Sequence, residues 1–252
     1  MQLISNNITV RGTIIDAFST TGSFPFKTDG FDVTGTNIAI TDSVIFNGDD
    51  AIAVQSGSHN ELFQYGTIGY QTHGMSIGSL AKGQGAYVNV SDITAVNAVH
   101  AARFKSWQRG LGLAQNISWH RIRAYNVSFP VFVAQGYMNQ GSAQTQLEDG
   151  TMAERPNNSS VVMRDFTWVD FSGTVNTFRP GGGFCVSNPC WYDLGLPGLK
   201  HTEAVIIECN TNTSCQGFRL EGIQLFPQSL ELPTVVLERD GGVEPAFGVL
   251  VV

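Results

Sequence analysis

Short β-branched runs return along this chain about every 20–30 residues, too small an interval for the crossover helix that parallel pairing normally uses. The runs are NNITVRGTII (6–15), TNIAITDSVI (36–45), HNELFQYGTI (59–68), YVNVSDITAV (87–96), QNISWHRIRAYNV (115–127) and SSVVMRDFTWV (159–169). Each alternates apolar and polar residues, the period-two signature of a strand, and Gly, Asn, Asp and Ser separate them. No segment shows the periodicity of an amphipathic helix. A coil that completes a circuit and lies down beside itself satisfies both constraints, which predicts an all-β solenoid, a parallel β-helix. Inward residues then stack as apolar ladders, and outward residues form a long flat face suited to an extended polymer. A β-sandwich is the alternative. It needs paired runs joined by tight turns, and at the Asn47-Gly48 turn the acids that follow make an odd second strand.

From about residue 176 the text changes to NTFRPGGGFCVSNPCWYDLGLPGLKH. One domain over 1–252 is expected, with an irregular loop region at 176–202 and a disulfide-pinned C-terminal end. The closing PAFGVLVV is expected to pack back on the final coil. The cysteines come as two close pairs, Cys185 with Cys190 and Cys209 with Cys215. Metal sites more often use CxxC spacing with His nearby, so two local disulfides are the better reading. Loops this short contribute ~2 kcal/mol each in the chain-entropy model and imply an oxidising compartment. N-x-[ST] sequons at Asn7, Asn89, Asn116, Asn126, Asn157, Asn158 and Asn212 point the same way. MQLISNNITV lacks the pattern of a secretory leader, so the expectation is a secreted, extracellular protein whose leader is missing from this chain. Net charge is -7 with no basic run, which argues against a nucleic-acid partner. No apolar stretch approaches the ~18 residues of a membrane span.

Four motifs carry chemistry: Thr28-Asp29-Gly30, Gly48-Asp49-Asp50, Thr72-His73-Gly74 and Arg103-Phe104-Lys105. Their spacing is close to whole coils, so a solenoid sets them side by side. Clustered carboxylates repel, so one stays protonated as an acid while others activate water. Cleavage of a glycosidic bond needs that pair. Arg103 and Lys105 flank Phe104 and point the same way on a strand, suited to gripping an anionic sugar. Taken singly, Asp-Gly and Asn-Gly-Asp-Asp are turn text. On a regular strand Asp49 and Asp50 face opposite ways; they share a site only at a kink or coil corner. His59 and His100 read as ordinary polar positions, and His120 and His201 have no motif around them.

TDGFD, NGDDAIAV, THGMSIGS and RFKSW, in that order, resemble glycoside hydrolase family 28, the polygalacturonase family. The resemblance covers residues 5–140 well and the rest more loosely. It implies a right-handed parallel β-helix that hydrolyses pectin with inversion, with no metal or other cofactor. It also implies Asp49 as the general acid, Asp29 and Asp50 as holders of the attacking water, and His73 as support for the acid. Arg103 and Lys105 would hold the galacturonate carboxylate, with Tyr137 a further sugar contact. THGMSIGSL and FKSW look most like exo-acting members. Two departures stand out. Lys27 replaces the Asn of the family's Asn-Thr-Asp motif; as a substrate-side cation beside Asp29 it would favour the charged carboxylate. The chain also begins almost at the first motif, so an N-terminally truncated solenoid is expected. Intact members are expected to be monomers, and this chain to self-associate through its open first coil. The expected partner is a pectic polysaccharide or oligogalacturonide. A calcium-dependent pectate lyase, a rhamnogalacturonan or xylogalacturonan hydrolase, and an inactive pectin-binding coil are the competing readings.

Overall fold

Apolar positions one coil apart lie directly over one another, and this registration builds the molecule. The computed structural model describes residues 1–21, 23–137, 159–179, 202–211, 213–230 and 234–239. The strands are β1 (Gln2–Arg11), β2 (Ile14–Asp16), β3 (Phe31–Thr41), β4 (Val44–Phe46), β5 (Asp50–Val54), β6 (His59–Gly69) and β7 (Gly74–Val96). They continue with β8 (His100–Val127), β9 (Phe129–Tyr137), β10 (Ser160–Val175), β11 (Glu203–Cys209), β12 (Cys215–Gln216), β13 (Arg219–Pro227) and β14 (Thr234–Arg239). Among the described residues every strand pairing is parallel, each strand against its counterpart one coil on. That removes the β-sandwich, whose neighbours run antiparallel.

Stacked ladders make the core. One stacks Phe31, Ile52, Met75, Ala102, Val131 and Val205; a second stacks Val33, Val54, Ile77, Phe104, Val133 and Ile207. A third runs Val10, Ile40, Phe63, Val90, Trp119 and Trp168, and its two indoles stack with nearly parallel planes, centroids 5.5 Å apart. Each fully buried side chain of this kind contributes about 1.5–3 kcal/mol.

The polar residues that punctuate the runs make the corners. Asn7, Asn37, Asn60 and Asn116 all adopt left-handed backbone, with φ of 58°, 60°, 62° and 53°. Asn tolerates that region better than most residues. Its amide also bonds along the stack: Asn37 Nδ2 donates to Asn7 Oδ1 at 2.8 Å, and Asn60 Nδ2 to Asn37 Oδ1 at 2.6 Å. A second corner carries Gly12, Asp42, Tyr65, Asp92, Arg121, Asp170 and Gly222, all at positive φ.

The Cys209–Cys215 disulfide is present. The second expected pair, Cys185 and Cys190, lies outside the described residues, as do Asn157, Asn158, Asn212, His201, residues 245–252 and most of the stretch expected to be irregular. Asn7 and Asn89 are exposed, and Asn116 and Asn126 half-buried. Asn126 Nδ2 is committed to the corner ladder through Asn97 Oδ1 at 2.8 Å.

Candidate active site

The Asn47-Gly48 turn resolves the difficulty of two adjacent acids serving one site. Gly48 and Asp49 form a bend, and Asp50 opens β5. Asn47 is fully buried, and its Nδ2 reaches the carbonyls of Thr28, Asp49 and Asp50 at 2.9, 3.0 and 2.9 Å. Gly48 N donates to Thr28 Oγ1 at 3.0 Å. The first and second motifs are therefore tied together through their backbones. The third joins them as His73 N and Thr72 Oγ1 donate to the Asp49 carbonyl at 2.8 and 2.9 Å. A Cβ at Gly48 would stand 2.1 Å from Pro25 Cγ. Gly48→Ala is accordingly expected to cost about 1–3 kcal/mol in denaturant unfolding and to displace the Asp49 bend.

Asp50 is buried at 1% exposure and carries a dense set of donors. Its Oδ1 accepts from Ser76 Oγ at 2.5 Å and Arg103 Nη1 at 3.1 Å, and its Oδ2 accepts from Lys105 Nζ at 2.5 Å. Arg103 and Lys105 do point the same way, as their spacing requires. They are hardly solvent-facing, however: Arg103 is 0% and Lys105 5% exposed. The Tyr137 ring lies over both, with Lys105 Nζ 5.0 Å and Arg103 Cζ 6.0 Å from its centroid. Trp107 packs edge-on against Tyr137.

Asp49 and His73 face each other, Oδ1 to Nδ1, at 3.2 Å. The Phe24 ring stacks on His73 with centroids 5.2 Å apart. Burial pushes the Asp49 carboxyl up, but the His73 contact, then Lys105 and Arg103, outweigh it and hold the group below the usual carboxylate range. Asp29 moves the other way. Burial and then the carboxylates of Asp50, Asp49 and Asp32 push it up to about 8, with Lys105 opposing.

Two expectations need correction. Lys27 is exposed, with its Nζ 5.5 Å from the Phe26 ring centroid; its backbone N–H, not its ammonium, reaches Asp49 Oδ2 at 3.3 Å. Asp29 is correspondingly raised rather than lowered. Lys27 has φ 58°, a left-handed backbone that Asn holds at less cost. His100 is no ordinary polar position: it is fully buried 6.1 Å from the His73 ring and 4.9 Å from Phe132. Burial, then the charges of Arg103, His73 and Lys105, hold its imidazole well below the usual histidine range. His59 is exposed as expected. Phe24 and Ser76 are not singled out by the sequence, and Asn47 only as a turn residue. Ser76 stands within the THGMSIGS motif; Phe24 carried no signal.

Donor atoms of Asp49, Asp50 and His73 lie within 4.8 Å of one another, close enough to share a metal ion. Asp50 already meets two cations, so a divalent ion there would face Arg103 and Lys105 at short range.

Folding takes up protons at several carboxyls, Asp32 among them, which burial raises. Besides Asp29, Glu61 stands on an inward ladder between Ile38 and Val88, and burial, opposed by backbone N–H groups, pushes it up to about 7. Both folded values exceed the unfolded ones. Their stabilising contribution is full below about pH 4 and is lost as pH rises through about 7 and then 8. Asp49 and Asp92 act oppositely, and only below about pH 4. The melting temperature is expected to fall from about pH 6.5 to 8, with Glu61→Gln flattening the fall near neutrality; below about pH 6.5 His100 and His120, both lowered chiefly by burial, act the other way.

Comparison with known proteins agrees with this arrangement. Residues 1–179 match the family described as glycosyl hydrolases family 28. The chain is 55% identical over 241 residues to "Probable exopolygalacturonase C" of Aspergillus fumigatus, and 56% to the protein of that name from Aspergillus niger. In both cases 94% of this chain and 53% of the relative are covered, so the chain spans about half the length of these curated relatives. Among solved structures it is similar to an endo-xylogalacturonan hydrolase from Aspergillus tubingensis, with TM-score 0.59 and 20% identity over 96% of this chain and 62% of that one. That likeness concerns the fold. Stacked parallel coils, a carboxylate cluster built from successive coils and the match over most of the sequence lead to one statement: this chain belongs to the glycosyl hydrolases family 28.

Proposed function

We propose that the chain hydrolyses α-1,4-galacturonosidic bonds of pectin, removing residues from a chain end with inversion, on coils that wind right-handed. One observation carries this reading. Five segments from successive coils bring Asp29, Asp49, Asp50, His73, Arg103, Lys105 and Tyr137 to a single patch. The exopolygalacturonase names of the Aspergillus relatives support the substrate and the mode of attack.

Asp49 protonates the glycosidic oxygen. At 3.2 Å a proton between Asp49 Oδ1 and His73 Nδ1 removes the repulsion of two lone pairs, so the pair holds a proton that Asp49 can pass on. Asp29 and Asp50 hold the attacking water. Lys105, beneath Tyr137, receives the galacturonate carboxylate, and in turning to it loosens its bond to Asp50 Oδ2. Arg103, wholly buried, mainly anchors Asp50. A second reading, with Asp29 as the acid and Asp49 as the base, is favoured by the raised Asp29 and lowered Asp49 carboxyls. Secretion, with glycans at the exposed Asn7 and Asn89, belongs to the same proposal.

Chromatography of products from defined galacturonate oligomers tests it. Saturated monogalacturonate is expected, released with inverted anomeric configuration and unaffected by chelator. Unsaturated products whose formation stops with chelator would establish a calcium lyase instead. Tight oligomer binding without turnover, with activity appearing on Lys27→Asn, would establish a non-catalytic binder.

A further inference from the structure

The second corner of the coil holds a hollow that the catalytic cluster does not use. Tyr65, Asp92, Arg121, Arg123, Asp170 and Ser172 line a cavity of about 400 Å³. It crosses β6, β7, β8 and β10, on ladders separate from the Ser76–Arg103 register that carries the catalytic cluster. Backbone conformation marks the same place. On this corner Gly12, Asp42, Asp92, Asp170 and Gly222 take positive φ as Gly and Asp readily do, while Tyr65 and Arg121 take it at 57° and 53°. A residue of ordinary type gives up about 1 kcal/mol there. Other tyrosines at positive φ have ring partners: Tyr70 packs on Phe46 and Phe18, and Tyr87 on His59. Tyr65 is 57% exposed and has no ring partner among the described residues. The cations of the hollow are also divided in role. Asp92 holds Arg121 through two bonds of 2.7 Å, whereas exposed Arg123 has no ion pair among the described residues.

An aromatic face beside an uncommitted guanidinium and a rim of hydroxyl and carboxylate groups suits a sugar acid. The ring takes the apolar face of a pyranose, and a guanidinium takes a carboxylate bidentately. We propose that this hollow is a second saccharide site, one that takes a uronate residue of the polymer away from the point of cleavage. Tyr65 stacks on the sugar, Arg123 binds its carboxylate, and Asp170 and Ser172 meet its hydroxyls. The choice of a uronate rests on the function proposed above. Holding a long chain here raises its effective concentration at the catalytic cluster.

The full chain carrying Asp49→Asn, which does not consume the probe, is titrated calorimetrically with trigalacturonate. Two classes of binding are expected, and Arg123→Gln or Tyr65→Ala added to it should weaken one class about tenfold while sparing the other. In the otherwise unchanged enzyme Arg123→Gln should lower kcat/KM on long pectate several-fold and leave the trimer unaffected. Both side chains are exposed, and unchanged melting temperatures verify that the variants fold. Identical isotherms with and without these substitutions overturn the proposal. If Arg123→Gln weakens a neutral methyl ester of the trimer as much as it weakens the acid, the uronate assignment is overturned. If no pectic polymer is hydrolysed but trigalacturonate binding still drops in Arg123→Gln, the proposed activity fails and the site stands. If hydrolysis is normal and the isotherms do not change, the site alone fails.

Discussion

Asp49→Asn should lower turnover of galacturonate oligomers by about 10²- to 10⁴-fold, the usual contribution of a positioned proton donor, with oligomer affinity largely kept. The substitution is nearly isosteric, and the Asp49 bend is held through its backbone by Asn47, Thr72 and His73, so the site should stay assembled. An aryl galacturonide with a good leaving group separates the two assignments of acid and base. Such a bond breaks without protonation, so a variant lacking only the acid keeps most of its rate on it. Asp49→Asn should keep that rate and Asp29→Asn should lose it. The opposite pattern would make Asp29 the donor, in line with its carboxyl being pushed up to about 8. The His73 contact would then serve to keep Asp49 charged as the base.

Arg103→Ala should cost about 1–3 kcal/mol in denaturant unfolding, the usual penalty for taking a charged donor from a buried acceptor. Asp50 is 1% exposed and Arg103 0%, so the Oδ1 that loses its guanidinium cannot turn to water, although Lys105 still holds Oδ2. Adding Asp50→Asn should deepen the loss, because buried Lys105 then has no carboxylate opposite it. A solvent-facing sugar clamp behaves differently: KM rises, and stability stays within about 0.5 kcal/mol. That result for Arg103 would return it to the substrate-gripping role expected from sequence. Lys105 keeps slight exposure beneath Tyr137, so Lys105→Ala should show both effects, a rise in KM and a smaller loss of stability.

How much could be read in advance differs from residue to residue. The 23-residue step from Asn37 to Asn60 is one coil, visible because a corner needs left-handed backbone and Asn is among the few residues that supply it. The convergence of Asp49, Asp50, His73, Arg103 and Lys105 followed from the same coil length. Asn47 was legible only as a turn, and its grip on three carbonyls was not. Phe24 gave no sign of stacking on His73. Where the Lys27 side chain lies was not legible either: its ammonium stands 5.5 Å from the Phe26 ring, and only its backbone N–H reaches Asp49.

Sequence alone determined the parallel coils, their ladders and the family motifs. Alternation and corner residues are local patterns, repeated until only one way of stacking buries every apolar row. Tertiary structure decided how the clustered acids shift one another, how deeply the cations are buried and where a second hollow opens. Those depend on distances and solvent exclusion between residues that share no local pattern, and they exist only once the coils have closed over one another.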